Sequence, residues 1–220
     1  YHTCVLKFDG YVDCYGRNDH GQSEDYSGGD AIGVALGGSH TCVLKSDGDV
    51  DCYGRNEYGQ SADYSGGDAI GVYAGKFNTC VLKDDGNVDC YGKNEDGQSE
   101  DYSGGDAIGV STRLYHTCVL KDDGNVDCQG HNPHGQSEDY SGGDAIMVAT
   151  SSYYTCVLKE NGNVHCYGEN DHGQSEDYLE GDAIGVALGG SHTCVLKEDG
   201  YVDCYGRNDY GQTNILYGTT

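Results

Sequence analysis

Written at a period of 38, the 220-residue chain places all twelve of its cysteines in two columns. Cys4, Cys42, Cys80, Cys118, Cys156 and Cys194 form one column; Cys14, Cys52, Cys90, Cys128, Cys166 and Cys204 form the other. A period of this length signals copies of one supersecondary unit, here six. Each unit is too small to bury its own faces, so neighbouring copies must cover one another.

One copy reads HTCVLKxDGxVDCYGRNxxGQSEDYSGGDAIGVALGGS. Two apolar runs flank a turn pair: Asp9-Gly10, Asp47-Gly48, Asp85-Gly86, Asp123-Gly124, Asn161-Gly162 and Asp199-Gly200. Asp-Gly and Asn-Gly accommodate the positive φ angles of tight hairpins, so TCVLK and VDCYG are expected as adjacent antiparallel strands in each copy. A further run, Ala31–Gly37 and its equivalents, follows a Gly-Gly-Asp turn and supplies at least a third strand. No stretch carries a 3.6-residue apolar period long enough for a helix.

The cysteines of a copy stand ten positions apart across the turn, which brings them together on the strand pair if the loop carries a bulge. The economical pairing is Cys4–Cys14, Cys42–Cys52, Cys80–Cys90, Cys118–Cys128, Cys156–Cys166 and Cys194–Cys204, each closing a loop worth about 2–3 kcal/mol. Zinc is the rival, but structural zinc sites want ligand pairs about two to four residues apart, and no matching His column exists. Disulfides persist in oxidising compartments, which points to a protein that is secreted or on a cell surface. Tyr1 opens directly in a strand pattern, so the expectation is a mature chain whose secretion signal has been removed.

Charge narrows the partners. With 12 Lys and Arg against 37 Asp and Glu, the net charge is -25, and such a polyanion repels phosphate backbones and anionic lipid. Nucleic acid and membrane insertion are therefore excluded as expectations, and no apolar run approaches the ~20 residues that span a bilayer.

The last copy stops after Gln212 and reads TNILYGTT, omitting most of the SEDYSGGDA stretch of the others. Laid on Ile32–Gly38, Asn214–Thr220 puts Leu216 on Val34 and Tyr217 on Ala35, and leads into Tyr1-His2-Thr3-Cys4. The expectation is an all-β, six-bladed β-propeller over residues 1–220 as a single domain. It would carry one disulfide per blade, with the ring closed by pairing Asn214–Thr220 with the N-terminal blade.

The run GDAIGVALGGSHTCVLKSDGDVDCYGRNEYGQS, Gly29 through Ser61, resembles the repeat of the regulator of chromosome condensation family, in particular its disulfide-containing bacterial type. The likeness covers every copy. It implies a β-propeller, usually of seven blades, that serves as a binding platform. Six blades would be a departure, as are Tyr15, Tyr53, Tyr91, Tyr167, Tyr205 and Gln129 where the family commonly has Trp, and the acidic loop that follows Gly-Gln. The founding member's chromatin role does not carry over, because the basic tail it relies on is absent from this acidic chain.

The loop GQSEDYSGGDAI recurs with few changes, whereas the stretch before each first cysteine drifts from ALGGS to YAGKF, STRLY and ATSSY. Either recent duplication or a shared functional surface accounts for the uniform loop. Each copy joins a carboxylate to a tyrosine: Asp25 and Tyr26, Asp63 and Tyr64, Asp101 and Tyr102, Asp139 and Tyr140, Asp177 and Tyr178. A flat ring beside a carboxylate is the apparatus of a sugar site, and five copies at about 60° steps would add avidity. The leading expectation is a multivalent lectin for glycans or glycoproteins; packing of the tyrosines between blades is the competing reading. The alternatives are a protein-binding or inhibitor propeller, or an acidic matrix protein in which Glu24, Asp25 and Asp30 hold calcium, although the spacing matches no EF-hand.

Other recurring residues read as scaffold. Asn18, Gly21 and Gln22 should shape their loop through side-chain to backbone bonds. His2, His40, His116 and His192 are replaced by Asn78 and Tyr154 in two copies, which suits core packing better than catalysis. The lysine column from Lys7 should pair locally with Asp9 or Asp13. The unrepeated residues Lys76, Arg113, Pro133, Met147 and His165 are dispersed along the chain, and no catalytic constellation appears, so no enzyme is expected.

Overall fold

The computed structural model describes residues 1–214, and every regular element in them is a strand. The first sheet pairs β1 (His2–Leu6) with β2 (Val12–Gly16). The second holds β3 (Ala31–Leu36), β4 (His40–Lys45) and β5 (Val50–Gly54), and the third β6 (Ala69–Ala74), β7 (Asn78–Lys83) and β8 (Val88–Gly92). The fourth holds β9 (Ala107–Thr112), β10 (His116–Lys121) and β11 (Val126–Gly130). β12 (Ala145–Thr150), β13 (Tyr154–Lys159) and β14 (Val164–Gly168) form the fifth, and β15 (Ala183–Leu188), β16 (His192–Lys197) and β17 (Val202–Gly206) the sixth. All pairs are antiparallel and sequential, one sheet per repeat, which makes each sheet a propeller blade. Among the described residues no helix is long and apolar enough to cross a membrane.

Each hairpin closes as the turn pair dictates. The Gly10 amide donates to the Lys7 carbonyl, and Gly10 carries φ +77° while Asp9 keeps a negative φ. The loop is thus a turn completed by a left-handed glycine, the bulged form of hairpin, and only the glycine needs the special angle. That register sets Cys4 directly opposite Cys14, with 4.1 Å between Cα atoms, and the same pairing forms a disulfide in all six blades.

The core lies between blades. Cys42, Leu44 and Val50 of the second blade pack on Ala69 and Val81 of the third. Equivalent clusters occupy the other junctions, as with Val12, Cys14, Ala31 and Val43 between the first two blades. The valine of TCVLK faces the preceding blade while the leucine and the valine of VDC face the next. Val43, Val50 and Leu44 are therefore at most 4% exposed, whereas Val5 is 52% exposed and Leu196 and Val202 are each 39% exposed at the two ends of the array. Of the Asn214–Thr220 stretch expected to close the ring, Asn214 lies outside any strand, and residues 215–220 lie outside the described residues. The first sheet has two strands among those described.

Polar groups also bridge the blades. Thr41, Thr79, Thr117, Thr155 and Thr193 each donate a hydroxyl to the carbonyl of a preceding-blade glutamine, Gln22, Gln60, Gln98, Gln136 and Gln174. His40 Nε2 lies 2.8 Å from Thr79 Oγ1 and His116 Nε2 2.7 Å from Thr155 Oγ1. Because each threonine proton is already committed to a carbonyl, Nε2–H is the donor, and burial disfavours the charged ring. Asn78 reaches Thr117 with its amide, and the Tyr154 hydroxyl lies 3.2 Å from Thr193 Oγ1, so the residue types that vary in this column keep one interblade contact.

Candidate functional site

The repeated Asp-Tyr segment forms the outermost edge of the first five blades. Val12 and Tyr26 exchange both backbone hydrogen bonds, and the same bridge recurs at Val50–Tyr64, Val88–Tyr102, Val126–Tyr140 and Val164–Tyr178. One residue earlier the chain has turned away, and Asp25 Oδ1 takes the place of a strand carbonyl, accepting from the Cys14 amide at 2.8 Å. Asp63, Asp101, Asp139 and Asp177 do the same for Cys52, Cys90, Cys128 and Cys166. The Tyr26 hydroxyl donates to Asp30, and Tyr64, Tyr102, Tyr140 and Tyr178 donate to Asp68, Asp106, Asp144 and Asp182. Burial first, then that carboxylate, pushes the Tyr26 phenol above its ordinary range. Asp25 and Asp30, two of the proposed calcium ligands, thus accept hydrogen bonds within their own blade. Among the described residues no three His, Cys, Asp or Glu side chains gather as a metal site.

The loop before this segment holds its shape as its residues suggest: the Ser23 amide donates to Asn18 Oδ1 and the His20 amide to Gln22 Oε1, each at 2.9 Å. Lys7 pairs with Asp13 at 2.7 Å. Tyr53, in the column where the family prefers Trp, packs on the Cys14 disulfide of the preceding blade with its hydroxyl 3.7 Å from Cys14 Sγ. Burial there, with the carboxylates of Asp25 and Glu24, pushes its phenol up to about 12.

Two other features lie at the two ends of the inner strands. At the start of β3, Ala31 pairs with Lys45 and Gly33 with Leu44, so Ile32 is bulged out of the ladder. The same bulge ejects Ile70, Ile108, Ile146 and Ile184. A bulge re-aims the side chain it carries. All five isoleucines stand between 50% and 58% exposed. Ile32 and Ile70, from neighbouring blades, line one shallow depression of about 190 Å³ together with Lys45, Asp47, Asp68 and Asp84. Periodicity alone could not reveal this, because the AIGVALG run reads as a continuous strand and the bulge arises from pairing.

At the other end, the segments joining inner to second strands converge on a cavity of about 720 Å³, lined by Tyr1, His2, Leu36–Ser39, Arg55, Ala74–Phe77, Arg113, Leu114 and Ser152. Five of the six repeats contribute to it. The convergence is direct: the Gly38 amide donates to the Gly75 carbonyl at 3.3 Å and the Lys76 amide to the Arg113 carbonyl at 2.6 Å. These are the segments that drift between copies, so the variable positions meet at the cavity while the uniform Asp-Tyr loop braces the blade edge. The drift was itself the available signal, since equivalent blade edges need identical braces but one cavity shared by several repeats can have unlike walls.

Comparison with known proteins agrees with this architecture. The CRINKLY WD40 ectodomain of the Arabidopsis thaliana receptor kinase ACR4 is 23% identical, with TM-score 0.74, over 93% of this chain and 80% of that one. The entire ectodomain of the Physcomitrella patens receptor kinase CR4 is 19% identical, with TM-score 0.79, over 99% of this chain and 63% of that one. Yeast RCC1 (Prp20), in its structure bound to Kap60, is 15% identical, with TM-score 0.76, over 94% of this chain and 68% of that one. At these identities the likeness establishes the fold. No curated protein sequence matches the chain. The model of the regulator of chromosome condensation (RCC1) repeat matches six times, at residues 1–22, 31–60, 69–98, 114–136, 148–174 and 183–212. With a repeat match in every blade and a paired-cysteine hairpin in each, the chain belongs to the regulator of chromosome condensation repeat family.

Proposed function

We propose that the chain is a non-catalytic, extracellular binding protein whose partner is another protein, docked on the face that presents Ile32, Ile70, Ile108, Ile146 and Ile184. The observation that carries this reading is the bulge that turns the same apolar side chain to solvent in five successive blades. A solvated scaffold gains nothing from a repeated exposed isoleucine, whereas contiguous apolar surface with a polar rim is the usual signature of a protein interface. The rim here is acidic, so the complementary partner has an apolar centre and basic surroundings, and the -25 net charge would speed its encounter. Propellers of similar fold are known with protein partners, as the yeast RCC1 structure with Kap60 illustrates.

The carbohydrate reading has weaker support, because a sugar at Asp25 and Tyr26 would have to displace bonds those side chains already make to Cys14 and Asp30. The two readings separate cleanly. Affinity capture from extracellular fluid with the wild type and with I70D/I108D should retain a protein at one-to-one stoichiometry that the variant loses and free sugar does not elute. Selective binding on a glycan array, abolished by D101A/Y102A and untouched by I70D/I108D, would replace this reading with the lectin.

A further inference from the structure

Ten of the twelve lysines and arginines make an ion pair, nine of them with a carboxylate of their own repeat or of the segment leading into it, as Lys7 does with Asp13 and Arg17 with Asp19. Lys197 completes the ten, with Glu180, Asp182 and Asp203 around it. Among the described residues only Lys76 and Arg113 have no carboxylate partner, and residues 215–220 include no Asp or Glu. In a chain with three acids for every base, two unneutralised cations would be expected at scattered positions. Instead both line the 720 Å³ cavity, their backbones joined by the Lys76 amide to Arg113 carbonyl bond.

We propose that this cavity is a binding site for a small organic anion, a carboxylate carried on an apolar body, held between Lys76 and Arg113. Arg113 offers a planar fork suited to a carboxylate, and Lys76 a point charge. Beside them, Leu36, Ala74, Phe77 and Leu114 supply the apolar wall, and the Lys76 ammonium already sits 5.0 Å from the centre of the Phe77 ring. A volume of about 720 Å³ is that of an ordinary small-molecule pocket. Among the described residues no Asp or Glu lines the cavity, and exposed charges farther than roughly 8 Å are screened at physiological salt. The site is distinct from the isoleucine face, at the far end of the same inner strands.

The other copies show that neither cation is needed for folding. Gly37-Gly38, Ser151-Ser152 and Gly189-Gly190 occupy the places of Gly75-Lys76 and Arg113-Leu114. The variants K76S and R113S therefore install a residue the fifth copy already tolerates in this column. Benzoate is a suitable probe and benzamide its uncharged counterpart, followed by amide chemical shifts of Gly75, Arg113 and Leu114. Benzoate should bind at least tenfold more tightly than benzamide, weaken as salt rises, and lose that preference in K76S/R113S while I70D leaves it intact. Equal binding of the two probes, benzoate binding unchanged in K76S/R113S, or no perturbation at millimolar benzoate would each overturn the proposal.

Discussion

Asp101 Oδ1 accepts the Cys90 amide at 2.8 Å, a side chain standing in for the strand that ends one residue too soon. Cys90 is 8% exposed, so without that acceptor its N–H is left without a partner at the blade edge. Asp101→Ala should lower the stability to denaturant by about 1–2 kcal/mol, and Asp101→Asn, which keeps an oxygen at Oδ1, by less. Equal losses for Ala and Asn would show that charge rather than the hydrogen bond matters here.

Acid should weaken the blade junctions in a defined window. Burial holds His40 and His116 neutral and lowers each from 6.5 to about 4. The unfolded chain therefore binds a proton more readily than the folded one between those values. The stabilisation is complete above about pH 6.5 and is lost as pH falls toward 4, with each site contributing up to roughly 3 kcal/mol. Asp144, held low chiefly by the Tyr140 hydroxyl, loses its contribution only below the ordinary carboxylate range. Unfolding curves at pH 7, 5.5 and 4.5 should thus show a fall that H40N/H116N largely removes, since Asn78 already fills that position in the third repeat. A fall of the same size in H40N/H116N would place the acid sensitivity elsewhere.

Backbone contact makes one glycine column intolerant. Gly92 has φ +122°, and a Cβ there would lie 2.3 Å from the Phe77 carbonyl oxygen. Gly92→Ala is expected to cost at least about 2 kcal/mol. Gly190→Ala meets nothing within 4 Å and should stay within about 0.5 kcal/mol of the parent. Thermal unfolding of the two variants side by side checks the contrast.

Each disulfide spans ten positions, so replacing Cys80 and Cys90 together by Ala should cost about 2–3 kcal/mol from chain entropy, plus the cavity left in the junction cluster. The same change at Cys4 and Cys14 should cost less, because the first blade covers one neighbour among the described residues rather than two. Denaturant midpoints of the two double variants test the order.

Much of the fold was legible because its determinants are local. The Asp9-Gly10 turn specifies the hairpin, the hairpin register specifies the Cys4–Cys14 bond, and the period of 38 specifies that blades follow one another. The recurrence of Asp25 and Tyr26 was equally visible. Its reading as a ligand surface came from residue type, whereas the Asp25 to Cys14 and Tyr26 to Asp30 bonds depend on where the fourth, one-bridge strand leaves the sheet.

The sequence alone determined repeat number, hairpins, disulfides and charge, all consequences of contacts within about ten residues or of composition. Tertiary structure decided two matters. It ejected Ile32 and its equivalents through bulges set by strand pairing, and it joined Lys76 to Arg113, which lie 37 positions apart and dispersed along the chain. No local pattern encodes either, because the first depends on the register against a second strand and the second on the packing of one blade upon the next.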